Sequence, residues 1–240
     1  MIDIHCHILP GMDDGAADAA EAGAMLAMMQ TAGVDKLFLT PHFYPEQESE
    51  GDFLRRRAEA QTRLEAQENV QLRLGAEVRY CRDLLSLDLR RLTLGESDYL
   101  LLELPGQRYP AYTVRIVEEL LDSGLIPVLA HVERYAYFRE DPALLKRLID
   151  LGALAQVSAQ ALTDRRDKNF AVACLQHHLA QMVASDAHNT TTRKPCMELL
   201  KKLPQELQQL HKAFSEAVWV NELPVYIRAS HVKKTFFGYR

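Results

Sequence analysis

Short apolar runs alternate with longer amphipathic stretches along the whole chain. Seven runs rich in aliphatic and β-branched residues predict strands. They are Ile2 to His5, Lys36 to Thr40, Gln71 to Gly75, Tyr99 to Leu102, Ile126 to Ala130, Leu154 to Val157 and Met182 to Ala184. Helical patterns lie between most of them, over Ala16 to Ala32, Phe53 to Glu68, Tyr112 to Ser123, Pro142 to Leu151 and Asp167 to His178. Glycine directly after several of these patterns is typical of a helix end.

Strands that alternate with helices, and that are apolar along most of their length, indicate a parallel sheet covered by helices. About seven strand–helix units predict a closed or nearly closed barrel, and we expect one domain over residues 1–240. Tyr44 to Asp52 is expected to form a polar loop. Apolar positions of the tail are expected to pack against the barrel, namely Trp219, Val220, Leu223, Val225 and Ile227.

Composition and charge exclude several classes of function. A net charge of -5 over 240 residues argues against a broad nucleic-acid surface. The basic end from Lys233 to Arg240 carries too few charges to act as a nucleic-acid arm. No apolar run approaches the ~20 residues of a membrane span, and the first residues lack the layout of a signal peptide. We therefore expect a cytoplasmic protein without membrane insertion.

Cysteine usage argues against one common type of phosphatase. The four cysteines are Cys6, Cys81, Cys174 and Cys196. They form no CxxC pair, which is typical of free thiols in a reducing compartment. A cysteine-dependent phosphatase needs an arginine six positions after its nucleophile. Those positions hold Met12, Leu87, Ala180 and Lys202. Cysteine-based phosphate chemistry is therefore not expected.

Side chains that can bind metal ions follow six of the seven predicted strands. They are His5, His7, His42, Glu77, Glu103, His131, Asp186 and His188, and Asp14 in the loop after the first strand completes the set. Side chains alternate along a strand, so His5 and His7 share a face, as do Asp186 and His188. Because the carboxyl ends of parallel barrel strands form one mouth, we expect these residues to converge there.

The size and chemistry of this set indicate a metal centre with more than one ion. A single catalytic zinc takes about three protein ligands plus water, so nine candidates predict two or three ions. Imidazoles and carboxylates without thiolates favour Mn²⁺, Fe or Zn²⁺. Any one of these residues alone would more often be structural. Gathered at one mouth they would desolvate and repel one another, at a cost on the order of several kcal/mol, unless cations compensated them.

The remaining histidines are expected to have surface or packing roles. His177 and His178 lie in a helical pattern, His211 lies on a Leu- and Gln-rich helical stretch, and His231 lies in the tail.

The motifs resemble those of the polymerase and histidinol phosphatase (PHP) superfamily. Within it, the chain is similar to the bacterial metal-dependent protein tyrosine phosphatases of the CpsB/CapC capsule biosynthesis family. The resemblance covers nearly the whole chain. It rests on DIHCHILPGMDDG at 3–15, TPH at 40–42, GAE at 75–77, LE at 102–103, HVERY at 131–135 and SDAHN at 185–189.

The resemblance implies a distorted TIM-like (β/α)₇ barrel with a trinuclear metal centre, and Mn²⁺ as the expected ion. It implies that the nine residues named above are the metal ligands, with Glu103 as the bridge. Arg134 and Arg193 are similar to the phosphate-binding arginines of the family. The implied activity is hydrolysis of phosphotyrosine on a membrane-associated bacterial tyrosine autokinase that regulates capsular or exopolysaccharide assembly.

On this interpretation a metal-bound hydroxide attacks phosphorus in line, and no covalent phosphoenzyme forms. Two alternatives stay open. The chain could be another PHP phosphoesterase, such as a histidinol-phosphate phosphatase or a nuclease-like member. It could also be a catalytically silent metal-binding scaffold. The sequence indicates neither the general acid nor an oligomeric state.

Overall fold

A computed structural model describes residues 1–64, 69–223, 229–230, 232, 234–235 and 238–239. The strands are β1 (Ile2–Cys6), β2 (Lys36–Leu39), β3 (His42–Phe43), β4 (Gln71–Leu74), β5 (Glu77–Arg79), β6 (Tyr99–Glu103), β7 (Ile126–Leu129), β8 (Leu154–Ser158), β9 (Met182–Ala184), β10 (Lys234–Thr235) and β11 (Gly238–Tyr239). The α-helices are α1 (Ala19–Ala32), α2 (Glu50–Gln61), α3 (Thr113–Asp122), α4 (Ala136–Glu140), α5 (Pro142–Leu151), α6 (Lys168–Gln176) and α7 (Gln205–Val220). Short 3₁₀ helices cover Leu84–Ser86, Leu89–Leu92, Val132–Arg134, Ala159–Leu162 and Met197–Lys202.

Parallel pairing arranges the strands around a barrel in chain order. β1 pairs with β2 and β2 with β4, while β3 pairs with β5 and is followed by β6, β7, β8 and β9. A parallel bridge between Cys6 and Ala187 joins the first strand to the chain after the last. The expected distorted TIM-like barrel is confirmed.

Two barrel positions are each built from two short strands, a feature that the sequence did not predict. β3 continues β2 after Thr40-Pro41, and β5 continues β4 after Gly75-Ala76. Pro41 has no N–H to continue the ladder, so the break falls there. The second strand of each pair is two or three residues long, which is too short to give a periodic pattern. Both carry a candidate ligand, His42 on β3 and Glu77 on β5.

Helix boundaries follow the capping residues more closely than the amphipathic pattern does. The Asp18 side chain accepts from the Glu21 N–H, so α1 begins after Asp18 rather than at Ala16. The Ser49 side chain caps α2 through the Asp52 N–H. The expected loop from Tyr44 to Asp52 therefore ends at Ser49. The predicted continuation of this helix to Glu68 is wrong for residues 62–64, because α2 ends at Gln61. Residues 65–68 lie outside the described residues.

Of the three described residues in the predicted tail set, Trp219 packs on the barrel. The Trp219 ring contacts Phe38 edge-on, with centroids 5.0 Å apart, and Arg73 lies 4.1 Å from the Trp219 ring centroid. The prediction is wrong for Val220 and Leu223, which are 55% and 81% exposed. They lie at and beyond the end of α7, where Asn221 adopts a left-handed conformation and turns the chain. The other tail positions, Val225 and Ile227, lie outside the described residues, as do His231, Lys233 and Arg240.

The four cysteines are all buried, free thiols, as expected. Among the described residues, no helix combines the length and apolar character needed to cross a bilayer.

Candidate metal centre

The structure brings all nine predicted ligands together at the carboxyl ends of the barrel strands. Eight of them form three overlapping groups whose ligand atoms lie within 4.8 Å of one another. The groups are His7, Asp14, His42 and His188; His5, His7, Glu77 and Asp186; and His42, Glu77 and Glu103. The ninth, His131, places its Nε2 atom 2.8 Å from Glu77 Oε1. Residues from both ends of the chain thus meet at one centre.

Glu77 occupies the middle of this centre and is fully buried. Its Oε1 atom faces His131, whereas its Oε2 atom lies 2.9 Å from His42 Nδ1, 3.2 Å from His5 Nε2 and 3.3 Å from His7 Nε2. A carboxylate whose two oxygens face different imidazoles is placed to be shared between two ions. The resemblance implies Glu103 as the bridge, and the two directions of the Glu77 oxygens make Glu77 a second candidate for that role.

Glu103 lies at the edge of the centre and has a second contact. Its Oε2 atom is 2.8 Å from Nη1 of Arg79, which stands two residues after Glu77 on β5. Glu103 belongs to one of the three groups, whereas Glu77 belongs to two. An arginine that partly neutralises a carboxylate competes with a cation for it.

The donor atoms of the centre cannot all be satisfied by hydrogen bonds to one another, whereas divalent metal ions would satisfy them. The Nε2 atoms of His5 and His7 lie 3.0 Å apart, and at that distance two ring nitrogens can share only one proton. Both lie 3.4–3.5 Å from Asp186 Oδ1. Several buried atoms of the centre lack hydrogen-bond geometry to any neighbour, including Glu77 Oε2, His42 Nδ1, His131 Nδ1 and His188 Nε2. Buried polar groups are rarely left so, and bound cations would satisfy those that face the centre.

No thiolate takes part in this donor set. Cys6 stands between His5 and His7 but points away, and its Sγ donates to the Phe38 carbonyl oxygen. This placement agrees with the strand alternation inferred from the sequence. The residues therefore fit ions that accept imidazole and carboxylate ligands together.

Asp13 holds His7 in place and was missed by sequence reasoning. Its Oδ2 atom lies 2.7 Å from His7 Nδ1 and accepts from the His42 N–H, while Oδ1 accepts from the Gly15 N–H. Burial opposes ionisation of Asp13, but the His7 imidazole and these hydrogen bonds hold the pKa of its carboxyl well below its usual value. A carboxylate on Nδ1 leaves Nε2 directed at the metal centre. The DDG segment contained this residue, but its spacing did not distinguish Asp13 from Asp14.

Gln156 and the Asp186 carbonyl orient two further imidazoles. Gln156 lies in the buried strand β8 with its Nε2 atom 3.0 Å from His5 Nδ1, while its Oε1 atom has no partner. Turning the amide over lets Oε1 accept from His5 Nδ1–H and frees Nε2 of His5 for an ion. The Asp186 carbonyl oxygen is 3.0 Å from His188 Nδ1. It can accept from Nδ1–H of His188, which leaves Nε2 of that ring free for an ion. A glutamine at an inward position of an apolar strand was the pattern that could have revealed Gln156.

Both predicted arginines lie at the rim and converge on Asp186. Arg134, in the 3₁₀ helix after β7, contacts Asp186 Oδ2 and donates to Ser158 Oγ at 3.1 Å. Arg193 donates from Nη2 to both Asp186 oxygens, at 3.0 and 2.9 Å. Burial would raise the pKa of the Asp186 carboxyl, but His5 and Arg134 hold it well below its usual value. Each arginine side chain is about one-third exposed, so both lie where the centre meets solvent.

The loop that carries Arg193 is organised by one side chain. Asn189 Oδ1 accepts from the N–H groups of Thr191, Thr192 and Arg193, and the His188 N–H donates to the Arg193 carbonyl. This turn brings Arg193 back over the centre, a path that the sequence alone did not define.

The other described histidines lie outside the three ligand groups. His177 pairs with Ser230 through Nδ1 at 2.7 Å, and His211 accepts from the Val183 N–H on β9. Their expected surface and packing roles agree with these contacts.

A parallel barrel of seven positions, with imidazoles and carboxylates converging at its carboxyl mouth, defines this chain as a metal-centred barrel of the PHP type. The model of the family described as capsular polysaccharide synthesis, CpsB/CapC, matches residues 1–216. The chain belongs to this family.

Its relatives carry phosphatase names. The tyrosine-protein phosphatase YwqE of Bacillus subtilis is 36% identical over 202 residues, which are 80% of this chain and 79% of the relative. The tyrosine-protein phosphatase CpsB of Streptococcus pneumoniae is 30% identical over 214 residues, covering 82% of this chain and 87% of the relative. A solved structure, from crystals of YwqE and CpsB described as unique metal-dependent tyrosine phosphatases, superposes with a TM-score of 0.88 at 31% identity. It covers 97% of this chain and 100% of that one.

Proposed function

We propose that this chain is a metal-dependent protein-tyrosine phosphatase. The observation that carries the proposal is that two rim guanidiniums, of Arg134 and Arg193, converge beside a buried cluster of metal-competent side chains. A phosphate monoester needs cationic partners on its oxygens, and planar guanidiniums match that geometry. The names of YwqE and CpsB supply the substrate class, phosphotyrosine.

Each ring nitrogen can ligate one ion, so the overlapping groups resolve into a smaller set of sites. His7 has its Nδ1 occupied by Asp13, so its Nε2 would serve an ion together with His5, Glu77 and Asp186. A second ion would be held by Asp14, His42 and His188. The other side of Glu77, with Glu103 and His131, would hold a third. This arrangement uses all nine residues and makes Glu77 the shared ligand.

When bound, the ions supply Lewis acidity and activate water for in-line attack on phosphorus. The chain's own contribution is to bind and orient the phosphate. Arg134 and Arg193 would exchange part of their contact with Asp186 for the equatorial oxygens of the substrate, where charge changes during transfer. Among the described residues, no cysteine belongs to the three ligand groups, which agrees with hydrolysis without a covalent phosphocysteine.

The proposal extends to the ion, the partner and the cellular role. Mn²⁺ is the proposed ion, with Fe and Zn²⁺ as the competitors, because the mixed imidazole and carboxylate donors suit all three. The proposed partner is the phosphotyrosine-bearing tail of a membrane-associated tyrosine autokinase, and the proposed role is control of capsular or exopolysaccharide assembly. We also propose a cytoplasmic location, which the free cysteines support.

The first test is a substrate panel on protein stripped with a chelator and reloaded separately with Mn²⁺, Zn²⁺ or Fe²⁺. A phosphotyrosine peptide, histidinol phosphate and single-stranded DNA are compared at equal enzyme and metal occupancy. We expect turnover of the peptide, greatest with Mn²⁺. Preference for histidinol phosphate or DNA would replace the substrate assignment, and a fully loaded protein with no turnover would be a scaffold.

The second test separates metal binding from phosphate binding. We expect His5→Ala to lose metal and activity together, because His5 faces both Glu77 and Asp186. Arg134→Ala is expected to keep its metal while kcat/KM falls about 10- to 100-fold, the loss of a charge-assisted hydrogen-bond pair. Arg134→Lys is the matched control that keeps the charge without the planar fork. Equal metal loss in His5→Ala and Arg134→Ala would contradict the assigned role of Arg134.

A further inference from the structure

A groove of about 420 Å³ opens on the flank of the barrel beside β5 and α3. Its walls include Tyr80, Arg82, Leu85, Pro110, Tyr112 and Arg115. We call these six residues the side groove. None of them is a candidate metal ligand or a rim arginine, so the groove is not explained by the phosphate site.

The side groove begins at the residue that follows β5, the strand that carries Glu77. Tyr80 directly follows β5, and its N–H donates to the Glu103 carbonyl oxygen at 2.8 Å. Arg79, the residue before it, pairs with the Glu103 carboxylate. At the rise of a strand, three residues from Glu77 to Tyr80 span about 10 Å. A peptide with its phosphorylated residue in the mouth could therefore reach the groove with neighbouring residues.

Exposed apolar side chains are concentrated in this groove. Tyr112 is 56% exposed and Leu85 is 38% exposed, and they are two of the five exposed large hydrophobic residues in the described part of the chain. Tyrosine and arginine side chains around an apolar floor are typical of the residues that dominate binding in protein interfaces. A solvated surface without a ligand gains nothing from exposing them together.

Two arginines, Arg82 and Arg115, and one acidic residue, Glu119, line the groove, in a chain whose net charge is -5. Arg115 pairs with Glu119 on the same helix. For Arg82, by contrast, no ion pair with an acidic residue is formed within the described ranges, and its side chain is exposed. An acidic group on a ligand would meet an uncompensated guanidinium at this position, next to an apolar surface.

We propose that the side groove binds residues that flank the phosphotyrosine of a peptide substrate, and that it selects flanks combining an acidic group with an apolar side chain. The inference rests on the proposed function and adds a substrate preference to it. The acidic group would pair with Arg82, and the apolar side chain would pack between Leu85 and Tyr112. The groove gives the enzyme a means of distinguishing one phosphotyrosine peptide from another without changing its chemistry.

The test uses the full chain loaded with Mn²⁺ and three substrates. They are free phosphotyrosine, a phosphotyrosine peptide with a Glu-Leu flank on each side, and a peptide of equal length with a Gly-Lys flank on each side. For the unaltered protein we expect KM for the Glu-Leu peptide to be about five- to tenfold lower than for the Gly-Lys peptide. Arg82→Glu should abolish this preference, and Tyr112→Ala should reduce it about threefold. Neither should change kcat/KM for free phosphotyrosine more than about twofold.

Lys212→Glu is the control with a matched charge change. Lys212 is 73% exposed on α7 and lines a different cavity, at the amino ends of β1 and β2. It should leave the peptide preference unchanged. Arg82→Ala serves as a milder second variant, and circular dichroism checks folding.

Three outcomes decide between the two claims. No preference in the unaltered protein, or an equal loss for peptides and free phosphotyrosine in Arg82→Glu, would overturn the side-groove inference. Absence of turnover with all three substrates would instead overturn the proposed function. In that case fluorescence anisotropy with the labelled peptides decides the inference, and equal affinity of the unaltered and Arg82→Glu proteins for the Glu-Leu peptide would reject it.

Discussion

Replacing Asp13 with asparagine removes one charge while keeping the size of the side chain. Asp13 is nearly buried and uses both oxygens, one for the Gly15 N–H and the other for the His42 N–H and His7 Nδ1. An amide retains only one oxygen. Asp13→Asn must therefore present an NH₂ group to a backbone N–H or to the imidazole, and a donor facing a donor disrupts the contact.

The expected loss follows from the role of the carboxylate behind His7. Removing such a partner of a metal-binding imidazole typically lowers metal affinity about 10- to 100-fold, or roughly 1.4–2.7 kcal/mol. We expect the upper half of this range, because Asp13 also fixes the backbone of His42, which would belong to a second ion site. The metal dissociation constant is measured by competition with a chelating dye on stripped protein, with Mn²⁺ and Zn²⁺ in separate titrations.

Asp18→Asn is the matched control from the same loop. Asp18 caps α1, and asparagine is about as good a cap, so neither stability nor metal affinity should change appreciably. An unchanged dissociation constant in Asp13→Asn would refute the role assigned to Asp13. Equal losses in both variants would show that the loop, rather than the contact with His7, determines affinity.

Two further predictions concern stability. A Cβ atom at Gly15 would lie 2.1 Å from the His7 carbonyl oxygen, so Gly15→Ala should weaken metal binding and lower unfolding free energy by about 1–3 kcal/mol in a chelator-stripped urea titration. Gly23→Ala, where nothing lies within 4 Å, should instead raise it by about 0.5–1 kcal/mol, and the reverse order would contradict the packing. Burial raises the pKa of Asp3 to about 6, although hydrogen bonds from Ser185 act in the opposite direction. The folded protein therefore binds the Asp3 proton more tightly than the unfolded chain does. The protonated Asp3 carboxyl therefore stabilises the fold fully below about pH 4, and this stabilisation is lost as pH rises through 6. Asp3→Asn should remove up to about 3 kcal/mol of the resulting fall in unfolding free energy. If the pH dependence of stability of the stripped protein is unchanged in Asp3→Asn, the prediction is wrong.

Most of the main strands were predictable because a parallel barrel buries them on both faces. Ile126–Leu129 and Met182–Ala184 are nearly uniform apolar runs, and their observed ends differ from the predicted ones by at most one residue. The candidate ligands were predictable for a related reason, since strand order and the shared direction of the strands decide where their carboxyl ends meet.

Features that depend on side-chain direction beyond a strand end were not predictable. Nothing in the spacing shows that Glu103 pairs with Arg79 or that the two Glu77 oxygens face different imidazoles. Asp13 and Gln156 act through contacts with Nδ1 atoms; a polar residue in an apolar strand could have drawn attention to Gln156, but no sequence pattern specifies which imidazole each residue contacts. Short strands such as His42–Phe43 depend on pairing with β5 rather than on their own residues.

Closure of the barrel between Cys6 and Ala187 has a consequence for biosynthesis. The Ser185 N–H donates to Asp3 Oδ1 across 182 positions of sequence, and His5 faces Asp186. A nascent chain still on the ribosome therefore exposes one part of the ion-binding set long before its counterpart has been translated. Contacts of such long range form slowly, so metal should be acquired late and should then tie the first barrel strand to the segment that follows the last.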